Sequence, residues 1–274
     1  MPTRSEQRAA FLAKHPQCAF CGGERVATTT EHCPPRALFQ FRHWPEGFEF
    51  PACDECNHGS GDEDAAVAML ARMSPDGSTG NEDGRIEGLI YNVNRQFPGA
   101  LVNMIPSHVE ARRKNRELGI KPGPGELHQD VAPITLPEAL KSAVNTFARK
   151  LALAIYYRDA GAIFPASGTL AMNWFTNIEL VLNGTYKMFD LLANLDGNTP
   201  PLVRGGKYLG DQFEYKLSIS PDAEVFLLQA KLGRSFGIVL FGSRRPGPIE
   251  ETIAGLKNKL GPKSPFIFLQ GGAT

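Results

Sequence analysis

The chain has 274 residues, with 29 basic and 29 acidic side chains, so its formal net charge is zero. This balance excludes a strong overall attraction to nucleic acid, and any such contact must come from local patches. Five cysteines, an odd number, argue against a secreted disulfide scaffold and favour metal binding in a reducing cytoplasm. The N-terminus lacks the apolar core of a signal peptide, and the most apolar run, 151–157, is too short to span a bilayer. We therefore expect a cytoplasmic protein without a membrane partner.

Two Cys-x-x-Cys pairs lie in the first quarter of the chain. Each pair places two thiolates on one tight turn, and two such turns together can form a closed tetrahedral site for structural zinc. The four cysteines of this set are Cys18, Cys21, Cys53 and Cys56. The fifth, Cys33, is more typical of a small buried residue than of a reactive thiol. We therefore predict one structural Zn²⁺ held by the two pairs.

Between the cysteine pairs, a β-branched run at 26–30 predicts a strand that delivers Glu31 and His32. Asn57 directly follows the last cysteine and begins a region with the spacing of a helix. A neutral histidine can take a proton from water near neutral pH, and carboxylate and amide oxygens suit Mg²⁺. A surface Glu-His pair beside a purely structural zinc knot is the alternative interpretation.

These stretches resemble the HNH endonuclease family, in the branch whose ββα-metal core is stapled by zinc. The resemblance is confined to the N-terminal part of the chain, and we recognise no catalytic motif after residue 75. The resembling stretches are Cys18-x-x-Cys21, Thr29-Thr30-Glu31-His32-Cys33-Pro34-Pro35-Arg36 and Cys53-x-x-Cys56-Asn57.

The resemblance implies roles for individual residues. His32 would be the general base, and Glu31 and Asn57 would hold a catalytic Mg²⁺ or Mn²⁺. His58 stands where the family often has a lysine, and it could be a further ligand, a phosphate contact or a surface residue at a helix start. The family's middle asparagine, which mainly fixes the loop between the strands, is missing here, because Phe48-Glu49-Phe50 occupies its region. Arg36 is a candidate contact to nucleic acid.

The middle of the chain predicts helices separated by irregular segments. A linker rich in Gly, Pro and Ser is expected at 74–84, followed by an amphipathic helix from Ile86. Ser107 caps a second helix, which Gly119 ends. That helix carries four basic residues, which could grip phosphates or could form a solvated face. They are Arg112, Arg113, Lys114 and Arg116.

The last part predicts one long helix and then a sheet. The helix starts at Pro137 and ends before Gly161, and its apolar stripe should pack against the sheet. Residues 170–195 are expected to be helical in parts. Alternating or continuous apolar runs predict strands at 213–219, 224–232, 235–241 and 266–269.

The sequence as a whole predicts an α+β fold in three parts. An HNH ββα-metal module at 1–75 is followed by a linker and helical connector at 76–136. A C-terminal α+β domain of unknown role, with an antiparallel sheet, would span 137–274.

The predicted activity is hydrolysis of phosphodiester bonds in DNA, with RNA not excluded and with a regulatory or targeting protein as a further partner. The alternative is a non-catalytic zinc-binding adaptor that docks nucleic acid or a protein. In an enzyme Glu31, His32 and Asn57 should converge on one cleft, whereas in an adaptor they should point apart.

Overall fold

The computed structural model describes residues 3–73, 82–178, 182, 184–260 and 266–271. The described residues form an α+β fold, in which helices surround a two-stranded hairpin and a five-stranded antiparallel sheet. Most of the predicted linker at 74–84 lies outside the described residues. None of the helices in the described part of the chain is both long and apolar enough to cross a membrane.

The N-terminal segment is built around the hairpin. Helix α1 (Arg4–Lys14) begins with a capping box of Thr3 and Glu6. Strands β1 (Thr29–His32) and β2 (Glu49–Ala52) pair antiparallel, with His32 opposite Glu49. Two short 3₁₀ turns, Arg36–Leu38 and Gln40–Arg42, lie in the connection between them. After β2 come helices α2 (Asp54–His58) and α3 (Gly61–Arg72).

Three helices fill the middle of the chain. They are α4 (Ile86–Gln96), α5 (Ala100–Met104) and α6 (His108–Leu118). The capping box predicted for α6 is present, with Glu110 reaching back to Ser107. Gly119 ends α6 with a φ of 71°, a left-handed conformation that a residue without a Cβ adopts at little cost.

The long helix α7 (Glu138–Ala160) is confirmed, and the sheet strands follow it. The elements after α7 are β3 (Thr169–Thr176), α8 (Lys187–Leu191), β4 (Val203–Arg204), β5 (Lys207–Tyr208), β6 (Phe213–Ile219), β7 (Val225–Leu232), β8 (Phe236–Ser243), α9 (Pro248–Leu260) and β9 (Ile267–Gln270). Strand order in the sheet is β6-β7-β8-β3-β9, and all four pairings are antiparallel.

The expectation that 170–195 is helical in parts is confirmed at α8, but residues 170–176 form strand β3. Leu170, Ala171 and Met172 are all fully buried, because β3 lies between β8 and β9 and both sheet faces are covered. A strand buried on both faces has a continuous apolar run rather than an alternating one. Periodicity alone cannot distinguish such a run from a buried helix.

One hydrophobic core joins the N-terminal segment to the sheet. A single cluster contains Phe20 beside the first cysteine pair, Phe147 of α7, and Phe213 and Leu240 of the sheet. Helix α7 packs against α3 as well as against β3 and β8. A second cluster, which includes Ile253 of α9, covers the other sheet face. The three-part division stays a prediction, but a fragment that ends near residue 75 would leave this shared core open.

Candidate functional site

The four predicted zinc ligands come together. The Sγ atoms of Cys18, Cys21, Cys53 and Cys56 all lie within 4.8 Å of one another. In the described part of the chain, this is the group of at least three His, Cys, Asp or Glu side chains that is close enough to hold one metal ion. Four thiolates at this spacing fit a tetrahedral ion such as Zn²⁺, with Zn–S distances of about 2.3 Å.

Groups around the cysteines suit the negative charge of a Cys₄ site. The backbone N–H of Phe20 donates to Cys18 Sγ at 3.4 Å, and Arg25 Nη1 donates to Cys53 Sγ at 3.9 Å. Burial lowers the pKa of Arg149, but the nearby cysteines oppose this and favour its charged form. Cys33 is fully buried outside this set, and burial raises the pKa of its thiol well above the usual range. Its burial agrees with the predicted structural role.

Glu31, the predicted metal ligand, contacts a lysine from α7. Lys150 Nζ donates to Glu31 Oε1 at 2.7 Å, to Ser60 Oγ at 2.6 Å and to Asp64 Oδ2 at 3.0 Å. Glu31 is 7% exposed and Lys150 is 5% exposed. Asp64 Oδ1 is buried and has no hydrogen-bond partner among the described residues. These contacts tie β1, α3 and α7 together through one ammonium group.

The charges in this cluster follow from burial and pairing. Burial raises the pKa of Glu31 to about 7, although the positive charge of Lys150 opposes the shift. Burial also raises the pKa of Asp64. For Lys150, burial works against the charged form, but the carboxylates of Asp64 and Glu31 outweigh it and raise its pKa. The lysine therefore stays an ammonium ion and neutralises one of the two acids.

This arrangement does not fit a Mg²⁺ site as it stands. The ammonium of Lys150 already contacts Glu31 Oε1, and only 7% of Glu31 is exposed to solvent. The Asn57 side chain points to β1, since its Nδ2 donates to Thr29 Oγ1 at 3.2 Å. His58 Nδ1 contacts the backbone oxygen of Asp54 at 2.8 Å, within its own short helix. His58 is therefore engaged as a helix-end residue.

His32 has surroundings of a different kind. Successive residues of a strand point to opposite faces, so His32 faces away from the Lys150 cluster. Its Nε2 lies 3.3 Å from Glu49 Oε1, and its ring meets Trp44 edge-on with centroids 4.8 Å apart. Burial, followed by the positive charge of Arg36, lowers the pKa of His32 to about 4. The imidazole is therefore neutral at pH 7.

The contact with Glu49 fixes the tautomer of His32. An ionised carboxylate can only accept a hydrogen bond, so Nε2 must carry the hydrogen and donate it. The other ring nitrogen, Nδ1, is then left as a proton acceptor. Glu49 lies in the region where the resemblance leads one to expect an asparagine, and the sequence alone did not suggest this role for it.

A groove of about 820 Å³ adjoins the His32–Glu49 pair. Glu49 and Trp44, which both contact His32, line it together with Lys14 of α1, Arg158 of α7 and Arg204 of β4. The groove is therefore bounded by both halves of the chain. Sequence reasoning missed Arg204 and Lys150, because neither belongs to a recognisable motif and only the fold brings them near β1.

The basic residues predicted on α6 form a separate surface. Arg112, Arg113 and Arg116 are exposed. Lys114 is held by the segment that follows α6, since its Nζ donates to Thr135 Oγ1 and to the backbone oxygen of Pro133. Lys114 is therefore engaged within the fold, while the three arginines remain open to solvent.

Comparisons of the chain with protein-family models, with curated proteins and with solved structures found no match.

Proposed function

We propose that the chain is a nuclease that hydrolyses phosphodiester bonds in nucleic acid, with His32 as the general base and with a structural zinc ion in the Cys₄ site. DNA is the first substrate to test, and RNA is the second. The observation that carries the proposal is the His32–Glu49 pair: the contact at 3.3 Å orients a neutral imidazole, and Glu49 lines a groove. The resemblance of the surrounding stretches to HNH endonucleases points to the same residue.

The chemistry that His32 would perform is a single proton transfer. Nδ1 takes a proton from water as the water oxygen attacks phosphorus, and the bond from phosphorus to the leaving oxygen breaks. Glu49 holds the ring in the required tautomer and stabilises the imidazolium that forms. The proton then returns to solvent, or to the leaving oxygen, when the products separate.

The catalytic Mg²⁺ or Mn²⁺ remains a separate prediction. A divalent ion on Glu31 and Asn57 would compete with Lys150, which contacts Glu31 Oε1 at 2.7 Å. When bound, a divalent ion would neutralise charge on the phosphate. A titration of cleavage rate against Mg²⁺ and Mn²⁺, in protein already loaded with zinc, tests whether the reaction needs it.

The test of the nuclease proposal is the substitution His32→Ala in the full chain. We expect a loss of about 10²–10⁴ in cleavage rate, with zinc content and melting temperature unchanged. His108→Ala, an exposed histidine on α6, is the matched control and should cleave at the wild-type rate. Wild-type activity should persist well below pH 6 and fall near pH 4, because burial lowers the pKa of His32 to about 4. Equal rates for His32→Ala and the wild type would refute the proposal.

A second candidate is the zinc-binding adaptor without catalysis. Its specific support is the Lys150–Glu31 contact at 2.7 Å, which engages the carboxylate that a metal-dependent nuclease would need. If the wild-type chain cleaves neither DNA nor RNA with any divalent ion, the adaptor becomes the better proposal.

A further inference from the structure

Two guanidinium groups from distant parts of the chain meet over one indole ring beside His32. Arg36 lies in the 3₁₀ turn after β1, and Arg204 lies in the β4–β5 hairpin. Their Cζ atoms are 5.0 and 3.7 Å from the centre of the Trp44 ring. Cation–π contacts of this kind hold guanidinium groups without neutralising them. Neither arginine takes part in an ion pair among the described residues.

The hairpin that carries Arg204 is fixed to the loop beside His32. Arg204 Nη1 donates to the backbone oxygen of Trp44 at 3.1 Å. The N–H of Glu46 donates to Val203 O at 3.0 Å, and the N–H of Gly205 donates to Glu46 Oε1 at 2.9 Å. These three bonds cross between the two halves of the chain. Arg204 is therefore positioned by the fold.

The two arginines lie in a locally positive region of a chain with zero net charge. Burial, followed by the positive charges of Arg42 and Arg4, lowers the pKa of Arg36, although the charges of Glu49 and Glu31 oppose the shift. Arg42 has a φ of 55°, and the preceding residue, Phe41, also has a positive φ. Asp83 Oδ2 accepts a hydrogen bond from the Phe41 N–H at 2.8 Å and so holds this turn.

Two nearby acids are already engaged. Glu49 contacts His32 Nε2, and Glu46 accepts from the Gly205 N–H. The guanidinium groups of Arg36 and Arg204 keep further N–H donors, since each carries five in a fixed fork that matches the oxygens of a phosphate. The region therefore offers donors and positive charge for an anion next to the candidate base.

We propose that Arg36 and Arg204 form a clamp, built from both halves of the chain, that binds a phosphodiester group of nucleic acid beside His32. The inference rests on the proposed nuclease function of the same site. It adds that the C-terminal half supplies part of the substrate site through Arg204. Trp44 acts as the support of the clamp, because the two arginines and His32 already occupy the space around its ring.

The basic face of α6 is the rival surface for the same ligand. Its exposed arginines all come from one helix, where Glu110 precedes them and Glu117 follows them. The hydrogen bonds of this helix to other segments involve residues 128–135. The clamp instead converges from two segments onto the ring that contacts His32, which is the arrangement that places a phosphate at the base.

The test measures binding separately from cleavage. The full chain with His32→Ala and bound zinc is titrated into a fluorescein-labelled single-stranded oligonucleotide without added divalent metal, and fluorescence anisotropy is followed at several salt concentrations. Adding Arg36→Gln and Arg204→Gln should weaken binding on the order of tenfold or more and reduce the salt slope by about 1 to 2. The matched pair, Arg112→Gln with Arg113→Gln, removes the same charge from α6 and should change affinity less than twofold.

Two further arms decide the remaining outcomes. The double variant Arg36→Lys with Arg204→Lys keeps both positive charges and should retain more affinity for the oligonucleotide than the glutamine pair. If the lysine pair loses as much affinity as the glutamine pair, the loss comes from a disturbed fold and not from the missing charge. Inorganic phosphate at the concentration of oligonucleotide phosphate should not displace the probe, and displacement would identify a free-phosphate site instead. Unchanged binding by the glutamine pair, or an equal loss in the α6 pair, would overturn the clamp. Binding without wild-type cleavage would refute the nuclease proposal and leave the clamp standing.

Discussion

The two faces of strand β1 show how one short hairpin supports two kinds of polar site. On one face, Glu31 is closed from solvent and bonded to Lys150, which also contacts Ser60 and Asp64. On the other face, His32 contacts the half-exposed Glu49, which lines a groove. On the first face one ammonium group contacts both acids. On the second face the imidazole is neutral, and Arg36 and Arg204 take part in no ion pair among the described residues. A site that binds or converts a ligand needs side chains like those of the second face. A polar group whose hydrogen bonds are all made within the protein has no donor or acceptor available for a substrate.

Both faces depend on the hairpin that the cysteine pairs hold, so zinc removal should have the largest effect. The Ala19 N–H donates to Pro51 O at 2.9 Å and the Thr28 N–H donates to Ala52 O at 2.9 Å, joining the first cysteine turn and β1 to β2. Structural zinc contributes on the order of 10 kcal/mol to folding in small domains. We expect a strong chelator to release one zinc per chain, to change the tryptophan fluorescence and to lower the melting temperature.

The zinc prediction has a direct check. Elemental analysis of protein purified without chelator should find one zinc per chain, and Cys53→Ser should weaken its retention. Protein that contains no zinc and melts at the same temperature with and without chelator would show that the knot is held by packing alone.

Lys150→Met tests the two faces of β1 independently, because Lys150 contacts Glu31 on one face and not His32 on the other. It leaves two buried carboxyl groups without their shared cation, and loss of one partner from a buried ion pair costs about 3–5 kcal/mol. We expect a corresponding fall in the free energy of unfolding, measured by urea denaturation. Combining Lys150→Met with Glu31→Gln should recover part of the loss, since the uncompensated charge is then removed.

Lys231→Met is the matched control for this prediction. Lys231 pairs with Glu214 across β6 and β7, but the two side chains are 44% and 38% exposed. An exposed pair of this kind contributes at most about 1 kcal/mol. If Lys150→Met costs no more than Lys231→Met, the buried cluster does not hold β1 against α7 as described.

The sequence predicted the local features of the site and missed the distant ones. The cysteine turns, the cap of α6 and the extent of α7 all follow from spacing within a few residues, and the structure confirms them. Lys150 is 119 positions away from Glu31, and nothing in its own surroundings in the sequence indicates a partner. The adjacent Glu31 and His32 suggested one shared site, yet the period of two in a strand places them on opposite faces. Contacts between residues distant in the sequence and the alternation of side chains along β1 therefore determine the partners of Glu31 and His32, which the motif alone does not predict.

The smallest effect concerns the pH dependence of stability, in which the two faces should act in opposite directions. The pKa of Glu31 is raised from its usual 4.5 to about 7 by burial, so the folded state binds more protons than the unfolded state in that range. Its contribution to stability is therefore lost as pH rises from about 4.5 to 7. The pKa of His32 is lowered from its usual 6.5 to about 4, so its contribution is lost as pH falls from about 6.5 to 4.

These opposing slopes should partly cancel in the wild type and appear separately in two variants. In Glu31→Gln only the titration of His32 still contributes, so the free energy of unfolding should rise more steeply with pH between 4.5 and 6.5 than in the wild type. In His32→Gln only the titration of Glu31 still contributes, so the free energy of unfolding should rise less, or fall, over the same range. Each difference is at most about 1.4 kcal/mol per pH unit, and urea denaturation at half-unit steps can resolve it. Parallel curves for the two variants would mean that the faces of β1 do not differ in protonation as the structure indicates.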